Sequence, residues 1–100
     1  MTIRYHRTGL VAGVKGQEAG ALAAEITEYL TKNLGMPTTW GWQFGGPFGA
    51  MHWFTDYADM AALEVGLIKT TTDPGYLAIL AKADGLFLEG HTEDTVIYLM

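Results

Sequence analysis

Apolar and polar positions alternate near both ends of the chain and recur at helical spacing between them. Ile3 and Tyr5 share one parity, and after Gly9 the apolar set Leu10, Ala12 and Val14 takes the other. This pattern predicts a strand over about residues 2–14 with a bulge or bend near Thr8 and Gly9. From about Gln17 to Leu34, Leu22, Ala23, Ile26 and Leu30 fall on one helical face. Glu28 and Lys32 form a favourable four-residue pair on the polar side. Gly35 ends this helix and Pro37 prevents its return.

A hairpin follows. Thr38 to Phe44 reads as a strand with Trp40, Trp42 and Phe44 on one face. Gly45 to Gly49 supplies the turn, and Ala50 to Thr55 returns. Asp56 is the expected N-cap of the next helix, with Met60, Leu63 and Leu67 as its inner stripe. Thr70 to Thr72 breaks it, and Asp73-Pro74 opens another helix whose Leu77, Leu80 and Ala81 face inward. Gly85 closes that helix, and Thr92 to Leu99 is the last strand. Strand, helix, strand, strand, helix pair, strand is the order of an α+β ferredoxin-like split βαβ sandwich. Its four-stranded antiparallel sheet carries helices on one face, leaving the other for water or a second sheet. No repeat, linker or low-complexity stretch divides the chain, so residues 1–100 are expected to form a single domain.

Composition narrows the function. With 49% hydrophobic and 17% charged residues, the 100-residue chain has enough apolar material for a core and is no candidate for disorder. The net charge of −5 argues against nucleic acid and against a basic membrane-surface segment. Its one basic cluster is Arg4, His6 and Arg7. Cysteine and serine are absent, so disulfides, thiolate chemistry and a serine nucleophile are excluded. The three histidines show no ligand spacing that predicts a metal site. No long apolar run spans a membrane, and the first ten residues lack a signal-peptide core, so a cytoplasmic protein is expected.

Phe54-Thr55-Asp56 leads into Tyr57-Ala58-Asp59-Met60 where the hairpin passes into the second helix. Together with the element order, this junction resembles the dimeric α/β-barrel superfamily of antibiotic-biosynthesis monooxygenases, stress-responsive barrel proteins and small polyketide cyclases. Many members carry Trp-Glu-Ser at the junction; here Phe54, Thr55 and Asp56 stand in those places. The resemblance implies a homodimer with two sheets back to back, helices outside, and a ligand pocket between sheet and helices. It implies no one reaction.

Which residues share that pocket depends on the hairpin register. A five-residue loop, Gly45 to Gly49, sets Trp42 opposite His52 and Trp40 opposite Phe54. A four-residue loop, Gly45 to Phe48, sets Met51 and Trp53 beside the tryptophans and turns His52 to the other face. A one-residue slip exchanges every side chain between faces. The second register partitions apolar from polar better; the first agrees with the resemblance and is the one adopted.

In the first register Trp40, Trp42, Phe54, Met60 and Leu63 line a pocket for a flat apolar or aromatic ligand. His52, desolvated there, is the expected general base, a role worth roughly 10²–10⁴-fold in rate. Arg4 and His6 are placed to hold the resulting anion. Met51 and Trp53, on the other parity, are expected at the dimer contact. The expected function is a cofactor-independent cyclase, isomerase or monooxygenase acting on an aromatic or polyketide-like substrate. The competing readings are a non-catalytic ligand-binding barrel and an assembly protein that uses the dimer surface.

Overall fold

A computed structural model describes residues 1–100. The elements are β1 (Thr2–Leu10), α1 (Gly16–Asn33), β2 (Thr38–Trp42), β3 (Ala50–Tyr57), α2 (Met60–Thr72), α3 (Pro74–Leu80), a short 3-10 turn (Ala81–Ala83) and β4 (Glu93–Leu99). The strands form one four-stranded sheet in the order β2-β3-β1-β4, antiparallel throughout. This is the expected α+β ferredoxin-like arrangement, with the helices on one face.

The helical stripe of α1 is buried as its spacing predicts, through Ala19, Leu22, Ala23, Ile26 and Leu30. Gly35 leaves the helix with φ +66°, a left-handed conformation that glycine adopts without a Cβ clash. Asp73 caps α3 by accepting from the Tyr76 N–H at 2.8 Å, with Pro74 in the first turn. Tyr76 is the residue α3 buries, and Leu77 lies outside. The helix α2 runs through the threonines expected to break it.

Further local expectations change. The register of β1 against β3 is unbroken from Ile3 to Leu10, so there is no bulge at Gly9. The buried residue beyond it is Val11, in step with Ile3, Tyr5, Arg7 and Gly9, while Val14 is fully exposed. At the other junction β3 continues to Tyr57, and the N-cap of α2 is Asp59, which accepts from the Ala62 N–H at 2.8 Å. Asp56 instead stays in the strand and pairs with Arg4.

The hairpin takes the second of the two registers, with Trp40 paired to Trp53 and Trp42 to Met51. Paired residues project to the same side of a sheet. Trp40, Trp42, Met51 and Trp53 therefore face the helices, while His52 and Phe54 face away with Arg4 and His6. Apolar burial decides the slip: Met51 is 0% exposed under α1, and the other register would exchange it for a histidine. Met51 and Trp53 are thus core residues of the helix-covered side, not residues of the open face.

Candidate functional site

Between the sheet and the helices lies a cavity of about 480 Å³, walled mainly by apolar side chains. Ile26 and Leu30 of α1, Leu67 of α2, Tyr76 of α3 and the following Phe87 form its helical side. The sheet contributes Tyr5, Arg7, Trp53, Thr55, Tyr57 and Asp94. Thr38 and Thr55 close a polar seam in the floor. Thr38 donates to the Met36 carbonyl at 2.9 Å, so the 2.7 Å bond between the two hydroxyls is donated by Thr55. Trp53 packs edge-on against Phe87, and its indole N–H is buried without an acceptor.

The charged groups in this wall are Arg7 and Asp94. Arg7 Nε donates to Asp94 Oδ1 at 2.7 Å and its Nη2 to Oδ2 at 2.9 Å, a bidentate clamp across the β1–β4 pair. Nη2 also donates to the Tyr5 hydroxyl at 3.1 Å, and Tyr5 in turn donates to Asp94. Nη1 is left without a protein acceptor. The hydrogen bond from Arg7 holds the Asp94 carboxyl below its ordinary range. Burial, reinforced by Asp94, pushes the Tyr5 phenol up to about 12, so at neutral pH it is a neutral donor. Tyr57 and Tyr76 are also raised by burial. The arrangement is a fixed cation with a spare N–H in an apolar cavity, suited to an oxyanion or carbonyl oxygen.

The residues singled out from the sequence are dispersed by the observed register. Trp40 and Trp42 are helix-facing but pack beside α1 near Gly16 and Gly20, away from this cavity. Leu63 of α2 is buried but does not line this cavity, and Met60 at the start of that helix is 45% exposed. Phe54, His52, His6 and Arg4 stand together on the open face. The His6 and Phe54 rings lie 4.6 Å apart with planes 16° apart, and the Arg4 guanidinium stands over Phe54. His6 Nε2 is 2.7 Å from His52 Nδ1. Tyr5 and Asp94 carry no local sequence signal of a site, and Arg7 shows only as part of a basic cluster, although Arg7 and Tyr5 share the parity of Ile3.

The sequence matches no family model and no curated protein. Solved structures do match. A NIPSNAP family protein from Agrobacterium tumefaciens aligns with TM-score 0.79 and 18% identity over 100% of this chain and 94% of its own. SnoaB, a cofactor-independent oxygenase from Streptomyces nogalater, aligns with TM-score 0.72 and 14% identity over 99% and 93%. An antibiotic biosynthesis monooxygenase aligns with TM-score 0.73 and 10% identity over 98% of each chain. This chain has their ferredoxin-like fold. At such identities the likeness is one of architecture, and function has to be argued from the site. No helix is long and apolar enough to cross a membrane.

Proposed function

We propose that this protein is a cofactor-independent enzyme that binds a flat, largely apolar phenol or enolisable ketone in the cavity, and that it works as a homodimer through its open sheet face. The observation that carries the reading is Arg7, clamped by Asp94 and Tyr5 with Nη1 unused, in the wall of an apolar cavity. A bound phenol or enol oxygen beside that cation ionises more readily than in water, because the charged form is paired. Its proton passes to the Asp94 carboxylate, whose side chain is 40% exposed and can release it to solvent. The electron pair stays on the substrate as an enolate, held by Arg7. Such an anion cyclises, isomerises or reacts with dioxygen without a metal or flavin. The fold shared with SnoaB supports the oxygenase form of this chemistry.

A non-catalytic binding module using the same cavity is favoured by one observation: Asp94, held low by Arg7, is a weak base. A panel of naphthols, anthrones and cyclic β-diketones, followed both by fluorescence and by product analysis under air, separates the two readings. Saturable binding with turnover, both lost in Arg7→Met, supports the enzyme. Binding without product over the whole panel supports the module, and no binding at all removes both.

A further inference from the structure

The open face carries a histidine pair that the cavity chemistry does not use. His6 of β1 and His52 of β3 are diagonal neighbours, since His6 pairs with Phe54 and Thr8 with His52. Their ring centroids are 4.9 Å apart while His6 Nε2 and His52 Nδ1 are 2.7 Å apart, so the rings meet edge to edge. Thr8 Oγ1 lies 3.2 Å from the same nitrogen of His6 and 3.3 Å from that of His52. On its far side, His52 Nε2 is 2.7 Å from Gln43 Oε1. The Gln43 amide nitrogen donates to the Gly45 carbonyl at 3.1 Å, which fixes which end of the amide is oxygen.

Proton positions follow from this chain. An amide oxygen only accepts, so His52 Nε2 carries hydrogen. Neutral His52 therefore presents a bare Nδ1, which accepts from His6 Nε2–H. One added proton leaves a single hydrogen between the facing nitrogens, and that bond survives, strengthened by charge. A second added proton puts hydrogen on both His6 Nε2 and His52 Nδ1. There it would set N–H against N–H at 2.7 Å between two cations, so the rings must separate.

The pair sits among residues that a second sheet would cover, with Leu10, Phe54 and Ile97 on the same side. Every charged group facing it from the neighbouring strands is accounted for. Arg4 of β1 and Asp56 of β3 neutralise one another at 2.8 Å. Glu93 of β4 pairs with Thr8 and so stands diagonal to His6. β2 presents Thr39 and Gly41, both uncharged. Burial lowers the His6 pKa, and His52 and then Arg4 add to that direction.

We propose that the His6–His52 pair makes self-association through the open face pH-dependent: two copies join while each pair holds at most one added proton, and part when acid charges both rings. The inference rests on the homodimer reading above. Linkage makes the dissociation constant rise by about tenfold per pH unit for each proton taken up on separation.

The test is sedimentation of the native protein at about pH 7.5 and about pH 5.5, beside the double variant His6→Gln/His52→Gln. The expected result is a native dimer at the higher pH and a dissociation constant raised by about tenfold or more at the lower. The double variant is expected to dimerise with little change between the two. A native dimer equally tight at both pH values overturns the inference and leaves the dimer reading standing. A native monomer at both overturns the two together. Equal pH dependence in the double variant assigns the effect to other groups and also overturns the inference. Should the double variant not fold, the His6 ring C2–H resonance decides on single His52→Gln. Its midpoint is expected to shift when His52 is removed, and an unmoved midpoint overturns the coupling.

Discussion

Arg7 and Trp53 face one another across the β1–β3 pair, and both stand in the wall of the helix-covered cavity. A cation and a large aromatic at one register position give a bound ring a surface to lie on and a charge to point at.

This pairing makes Trp53 the reporter of cavity occupancy. Planar phenols should quench the native emission saturably, and Trp53→Phe should remove most of the quenching while keeping the wall aromatic. Trp40→Phe should leave most of it, because Trp40 packs beside α1 away from the cavity. The same titration locates the ligand. Binding in the cavity is lost with Arg7→Met, by about tenfold or more if the charged hydrogen bond contributes about 1.5–3 kcal/mol. Binding on the open face would instead be lost with His52→Gln, and that result would move the site to the other side of the sheet.

The Arg7–Asp94 clamp also has a pH signature. The Asp94 pKa is lowered below its ordinary 3.8, first by the hydrogen bond from Arg7. A carboxylate lowered on folding stabilises the fold in full above its unfolded pKa, and that contribution is lost as pH falls through the folded value. The window is therefore below about pH 4. The two side chains are 37% and 40% exposed, so solvent screening limits the effect to about 1 kcal/mol or less. Melting scans from about pH 5 to about pH 2.5 should show a native loss of a few degrees that Asp94→Asn lacks. Identical slopes in the two proteins would show that the clamp does not contribute.

The elements were legible because local periodicity encodes them. The α1 stripe, the Asp73-Pro74 helix start and the Gly35 stop each need only neighbours in sequence. The faces of the hairpin were not legible, because the Gly-Gly-Pro-Phe-Gly loop accommodates two lengths, and one residue exchanges His52 for Met51 opposite Trp42. What resolves it is the burial of Met51 beneath α1, a contact between distant segments. Arg7 was hidden for a related reason. An arginine on an apolar strand face looks like a surface residue until its partner is known, and Asp94 lies 87 residues away. Asp56 and Asp59 are both good caps in composition, and the choice between them is made by Arg4, which holds Asp56 in the strand.

Strand β4 gives the sharpest test of how copies meet. It lies at the sheet edge, with Ile97 on the open face and Val96 on the helix side, exposed by 37% and 42%. Face-to-face packing buries Ile97 and not Val96, whereas edge-to-edge pairing uses the backbone and is indifferent to parity. The native protein at micromolar concentration should sediment at twice 10.9 kDa. Ile97→Glu places an unpaired charge in a desolvated contact, at a cost of several kcal/mol, and should yield monomer with native helix and strand content. Val96→Glu should remain dimeric. Loss of the dimer in both variants would point to edge pairing along β4, and its retention in both would remove the open face from the interface.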